Sequence, residues 1–315
     1  MNGTARPIAR QLGAVIDTSM APTLAEVDRE WLLSLFRSTG AVFLRGFNAT
    51  LEDFEALSGA LMTDLVTNRG AAFSHGPLKR GVVKGDPTVM TATGQRQDFP
   101  LPLHGEFYYF KRPPQMLWFY CDRPAAEGGE TTIGDGAEIM AAFSPKTADL
   151  LRTRPIRYER HLTADEWPVS FQTDQRDGVD AICRENDFTT TWNDDGSLVT
   201  TFRSSAFWKD AEGREIFIND LLPVALGEEV VLSGRIAAIA PDMKRPPLVV
   251  RWEDGSPIDM AIVYDILKVS SKLEVPVPAA RGDILIVDNT RVLHGRRGSK
   301  DPDRRVLVRM GSPIT

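Results

Sequence analysis

Four histidines are the whole imidazole supply of this 315-residue chain: His75, His104, His161 and His294. His104 is followed two places later by Glu106, within the stretch LPLHGEFYYFKRPPQMLWF at 101–119. In an extended strand, side chains at i and i+2 leave the same face. An imidazole and a carboxylate so spaced can reach a common point, which makes two thirds of a facial metal site. Two imidazoles and one carboxylate, with open positions left over, form the donor set of non-haem Fe(II) oxygen chemistry. The tripeptide alone is common by chance, and a surface strand with a stray histidine is the competing reading. The second imidazole must therefore come from elsewhere in the chain. His75 lies in a polar loop and reads as solvated. His161 falls near the end of a strand and reads as packed or solvated. His294 follows the apolar run DILIVD and the turn DNTRVL, and is the remaining candidate.

The elements that must position these groups are short. Thr23 to Arg37 reads as a helix, with Thr23 and Glu26 spaced as a capping box and Leu24, Val27, Trp31, Leu32, Leu35 and Phe36 on one face. Gly40 to Phe47 reads as a buried strand, and Thr50 to Leu61 as a second helix. Gln115 to Cys121, bounded by prolines, reads as a strand buried on both faces. Ile156 to Leu162, Leu198 to Phe202, Glu215 to Ile218 and the segment from Gly282 to Asn289 read as further strands. Met260 to Ser271 reads as a helix, and Gly227 to Ile239 is ambiguous between helix and strand. Arg304 to Met310 alternates, so Arg305, Leu307 and Arg309 share a face; a register slip of one residue would give Arg304 the place of Arg305. Residues 66–100 form a long loop rich in Gly, Thr, Ser and Pro, expected to act as a lid or substrate-lining segment. Many short strands with Gly and Pro turns and few helices predict a mainly β chain with flanking helices around a jelly roll. The chain is expected to be one domain, 1–315, with an insert at 163–215.

Composition narrows the function classes. Apolar residues make up 42% and charged residues 25%, ordinary for a globular protein. A net charge of −6 argues against broad nucleic-acid binding. Two cysteines make no disulfide framework, so a cytoplasmic location is the simple expectation. No apolar run reaches the length of a spanning helix, and no membrane partner is expected.

The segments HGE, PAAEGGETTIGD, RGDILIVDNTRVLHGRR and RRVLVRM occur in that order, and together they resemble the taurine dioxygenase (TauD/TfdA) family of Fe(II)/2-oxoglutarate-dependent oxygenases. The GGET turn and the string from Asp288 to Arg296 are most similar to its syringomycin aspartyl hydroxylase-like and clavaminate synthase-like branch, which uses Glu as the carboxylate ligand. The resemblance covers about residues 40–312. It implies a double-stranded β-helix (cupin-like) core. It implies that His104, Glu106 and His294 bind Fe(II), and that Thr131 and Arg305 hold the distal carboxylate of 2-oxoglutarate, with O2 as the second co-substrate. It implies that Arg309 helps hold an acidic group of the substrate. Physical chemistry agrees with these residue types, since a guanidinium grips a carboxylate with a fork that Lys does not copy. Plainer roles stay open here: a structural His294, or a solvated strand face for Arg305 and Arg309.

Because the carboxylate position is filled by Glu106, hydroxylation is expected and halogenation is not. The expected substrate is an amino acid or an amino-acid-derived natural-product intermediate, free or tethered to a carrier protein, with succinate and CO2 released. Desaturation, epoxidation or cyclisation with the same cofactors is the alternative outcome. A non-catalytic jelly-roll binding protein is the reading from another class. Asp288 and Asn289 read as turn formers.

Overall fold

The structure is a computed structural model that describes all residues except 1–4, 11, 68–79, 84, 93–97, 211, 236–244, 247 and 315. Its centre is the strand Met116–Arg123, whose residues Met116 to Cys121 are all buried. Met116, Trp118 and Tyr120 enter an apolar cluster beneath two helices, while Leu117 and Phe119 enter a different one. A strand covered on both faces has no polar alternation, which is why it reads as an unbroken apolar run.

That strand lies between Ile284–Asp288 and Arg305–Pro313 in a large sheet that also holds Leu12–Asp17, Ala41–Arg45 and Asp86–Thr91. A second sheet runs Val275–Val277, Thr131–Asp135, Val292–Arg296, Leu101–His104. The inner faces of the two sheets share one cluster, with Leu117, Phe119, Leu285 and Val308 from the first and Ile133, Val277 and Val292 from the second. This is the jelly-roll core. The helices Arg29–Thr39 and Leu51–Leu61 cover the outer face of the large sheet. Phe54 on the second helix is fully buried against the rings of Trp118 and Tyr120, at 6.5 and 5.4 Å between centroids. Its truncation to Ala should cost about 3–5 kcal/mol.

Helix starts show where local chemistry decides. Thr23 Oγ1 donates to Glu26 Oε1 at 2.8 Å, but the expected helix makes only a short 3-10 turn there, Leu24–Glu26. The helix proper begins at Arg29, because Asp28 accepts from the Trp31 amide at 2.8 Å, and it stops at Gly40 in the left-handed region (φ 76°). Leu51–Leu61 starts where expected, with a reciprocal box between Thr50 and Asp53. The ambiguous segment from Gly227 begins within a helix, Leu221–Leu232, and its later part lies outside the described residues.

Residues 163–215 contribute two strands to a further sheet whose other two strands flank them in the chain. Phe188–Trp192, Leu198–Ser204, Ile156–Leu162 and Leu248–Trp252 form a four-stranded sheet, with helices Glu166–Phe171 and Arg176–Glu185 packed around Trp167, Val179 and Leu198. Among the described residues no helix is long and apolar enough to cross a membrane.

Candidate metal centre

His104 ends the strand Leu101–His104, and His294 is its directly opposed partner on Val292–Arg296. Opposed residues on neighbouring strands carry their side chains on one face, and the two imidazole centroids lie 4.3 Å apart. Glu106 lies just past the strand, and its Oε2 is 3.4 Å from His294 Nε2. One ligand atom from each of His104, Glu106 and His294 lies within 4.8 Å of the others, and all three residues are buried. Among the described residues this is the one cluster of at least three such groups. His161, 41% exposed, pairs with Glu159, also two positions away, at 3.5 Å, but with no third donor among the described residues. His75 lies outside the described residues.

The turn that follows His104 is shaped by what it must avoid. A Cβ on Gly105 would sit 2.5 Å from the Tyr108 ring and 2.6 Å from Ile218 Cγ1, so only glycine fits between the two candidate ligands. Phe107 adopts φ 64°, a conformation costly for a bulky residue. Asn289 holds this turn in place. Its Oδ1 accepts from the Glu106 amide at 2.8 Å, and its Nδ2 donates to Glu106 O at 3.0 Å and Pro114 O at 2.7 Å. Tyr108 Oη donates to Asn289 O at 2.7 Å. Sequence reasoning treats Asn289 as a turn former and misses this bracket. The available signal was an amide side chain directly after a buried strand, five residues before His294.

The protonation states suit a divalent cation. His104 Nδ1 lies 2.9 Å from Pro102 O, which makes it the proton-bearing nitrogen and leaves Nε2 as a lone-pair donor. Burial, with His294 beside it, pushes the His104 imidazolium down to about 3, so the ring is neutral. Burial works to raise the Glu106 carboxyl. The Arg80 guanidinium, the hydrogen bond from His294 and the two imidazoles overcome it, and the group stays well below the usual carboxylate range. Two imidazoles and one carboxylate on one side of a point fit Fe(II) and leave further positions for other ligands.

The arginines of the last strand are placed differently from the sequence expectation. Val306, Val308 and Met310 face the jelly-roll interior, whereas Leu307 faces the helix layer. Arg305 belongs to the Leu307 face and is half exposed, its Nε 3.3 Å from Asp122 Oδ2. Its expected contact with a buried co-substrate is therefore corrected: the side chain points away from the interior. Both faces of this strand are buried and apolar, so alternation fixes parity without saying which parity looks inward. Arg304 is 5% exposed, and its Nε donates to Gly129 O at 2.6 Å. Burial, then the positive charge of Arg296, lowers Arg304 to about 10. Arg296 is itself buried, two residues after His294, and is register partner of Thr131. Thr131 lines a small internal cavity with Phe119, Cys121 and Val306. The Arg296 guanidinium donates to Arg297 O at 3.1 Å and to Phe99 O at 2.8 Å.

Arg309 is also corrected. Its Nε donates to Thr88 Oγ1 at 3.0 Å and its Nη1 to Glu55 O at 2.8 Å and Ser58 Oγ at 3.2 Å, with Asp86 3.6 Å away. It ties the helix Leu51–Leu61 to the large sheet and faces away from the triad, so it is not placed to hold a substrate acid.

A jelly roll that gathers two imidazoles and a carboxylate between its sheets defines a mononuclear metal-dependent oxygenase. The sequence profile of the taurine catabolism dioxygenase TauD, TfdA family matches residues 4–310, and the chain belongs to that family. It is an Fe(II)/2-oxoglutarate-dependent dioxygenase. A clavaminate synthase-like protein of Arabidopsis thaliana is 28% identical over 299 residues, covering 90% of this chain and 84% of the relative. The dapdiamide synthesis protein DdaC of Enterobacter agglomerans is 26% identical over 282 residues, covering 87% and 83%. The fold is shared with PvcB, an Fe, alpha-ketoglutarate dependent oxygenase from an isonitrile synthetic pathway. That match has a TM-score of 0.56 at 15% identity, over 98% of this chain and 87% of PvcB.

Proposed function

We propose that the protein hydroxylates an unactivated C–H bond of an amino acid or amino-acid-derived natural-product intermediate, free or carried on a protein, and releases succinate and CO2. The observation that carries this reading is the intact buried carboxylate, Glu106, set against two imidazoles. Relatives named for dapdiamide synthesis and for an isonitrile pathway support the substrate class.

In this reading His104, Glu106 and His294 hold the iron, each through one atom. Bound there with 2-oxoglutarate, iron supplies dioxygen activation and the oxidising power for the C–H bond. The chain supplies placement. Pro102 O fixes the His104 tautomer, and Asn289 fixes the Glu106 backbone. Arg304, with Arg296 and Thr131, receives the distal carboxylate of 2-oxoglutarate at the inner end of the jelly roll. The packed walls of Phe119, Leu117 and Val308 keep water from that end.

The test is a screen of free and carrier-bound amino acids for substrate-stimulated succinate release, with the product read by mass. Gain of one oxygen atom is expected. Uncoupled 2-oxoglutarate consumption that no amino acid in either form stimulates would sink the substrate assignment. Loss of two hydrogens would replace hydroxylation by desaturation.

A further inference from the structure

Arg80 carries a charge that neither the sequence reading nor the roles above use. Its Nη2 lies 2.8 Å from Glu106 Oε2. The pair is secluded, with side-chain exposures of 14% and 5%. The oxygen it holds is the same one that lies 3.4 Å from His294 Nε2. Arg80 is thus bonded to the atom of Glu106 that faces the imidazoles. The guanidinium carbon lies 5.8 Å from the Phe107 ring centroid, and Nη1 reaches Met310 Sδ at 3.7 Å. Its backbone leads straight into a described hairpin. The Gly81 amide donates to Thr91 Oγ1 at 2.9 Å, and the Thr91 amide to Gly81 O at 2.8 Å.

Glu106 is a secluded carboxylate, and a buried carboxylate needs a counter-charge. Arg80 provides it. A divalent cation bound by the same carboxylate oxygen would provide it instead, and would repel the guanidinium at short range through a medium of low dielectric. The two cations therefore contend for one anion.

We propose that Arg80 is a displaceable counter-ion: it neutralises Glu106 in the metal-free protein and is driven off that carboxylate when the metal binds. The proposal rests on the reading of the triad as the metal site. Arg80 is then a positioning residue that sets how tightly the metal is held.

Mn(II) titration of the purified full chain, read by the electron paramagnetic resonance of free Mn(II), tests this directly. Arg80→Gln should bind Mn(II) about tenfold more tightly than the native protein, since a close like charge has been removed, and Arg80→Lys should stay near native. The metal-free Arg80→Gln protein should melt at lower temperature. If Arg80 merely orients the carboxylate, the same substitution weakens Mn(II) binding, and that result, or no change, overturns the proposal. Failure of the native chain to bind Mn(II) would overturn the triad reading and the proposal together. A measurement on the native chain covers the case in which Arg80→Gln does not fold: Mn(II) should speed tryptic cleavage after Arg80, identified by peptide mass, and equal or slower cleavage overturns the displacement.

Discussion

Replacing Arg304 and Arg305 one at a time separates two adjacent arginines that differ in face. In the structure Arg304 is buried near Arg296, the register partner of Thr131, while Arg305 is half exposed against Asp122. Truncating one partner of a buried, hydrogen-bonded charge pair costs about 2–5 kcal/mol. At roughly 1.4 kcal/mol per tenfold, the low end of that range is about thirtyfold in affinity. A half-exposed ion pair such as Arg305–Asp122 contributes about 0–1 kcal/mol, and nothing toward a ligand it does not face. The assay is an anaerobic titration of the Fe(II)-loaded protein with 2-oxoglutarate, followed through its visible charge-transfer band. Arg304→Gln should raise the 2-oxoglutarate dissociation constant by about thirtyfold or more, and Arg305→Gln should leave it within about fivefold. Arg304 Nε also donates to Gly129 O, so the substitution also removes a structural hydrogen bond. Arg304→Lys, with its melting temperature matched to native, keeps the charge without the fork and should fall between. Weakened 2-oxoglutarate binding in Arg305→Gln, with Arg304→Gln near native, would refute the assignment of faces.

Two further outcomes follow from the same geometry. Asn289→Ala removes the amide that brackets the Glu106 backbone, and Mn(II) affinity should fall by about 10- to 100-fold, as for other supports of a ligand; an unchanged Mn(II) titration would deny Asn289 that role. The metal-free protein should lose stability in acid. His104 titrates at about 3 in the fold against 6.5 unperturbed, so below pH 6.5 the unfolded chain takes up a proton that the folded chain refuses. That contribution is complete above the unfolded value and shrinks as pH falls toward the folded one, by about 2 kcal/mol at pH 5. Glu106, held low in the fold, adds loss of the same sign below about pH 4.5. Urea unfolding at pH 7.5 and 5.0 should show the drop in the native chain and a smaller one in His104→Gln; equal drops would count against a buried neutral His104.

The convergence of His104, Glu106 and His294 was legible in the sequence because their placement is local or rigidly registered. Glu106 stays close to His104 in sequence although it lies in the turn past the strand and not on it, and His294 follows a strand too apolar to be anywhere but the core. The helix Leu51–Leu61 was legible for a similar reason, since Thr50 and Asp53 cap it without outside help. The arginines were not. Alternation in RRVLVRM fixes which residues share a face, but Leu307 on one side and Val306 and Val308 on the other are equally apolar. Deciding between the faces requires knowing that helices Arg29–Thr39 and Leu51–Leu61 cover one of them. Arg80 and Asn289 were hidden differently: each meets Glu106 from a distant part of the chain, 26 and 183 residues away.

The three donors are not anchored alike. Two stand on neighbouring strands, fastened rung to rung, while the third hangs from a bend whose hold on its backbone comes from the amide side chain of Asn289. A redesigner of this centre would therefore find the imidazoles all but immovable and the carboxylate the interchangeable part. Swapping the acid for a smaller side chain should leave the remaining pair standing, a ready socket for an exogenous anion.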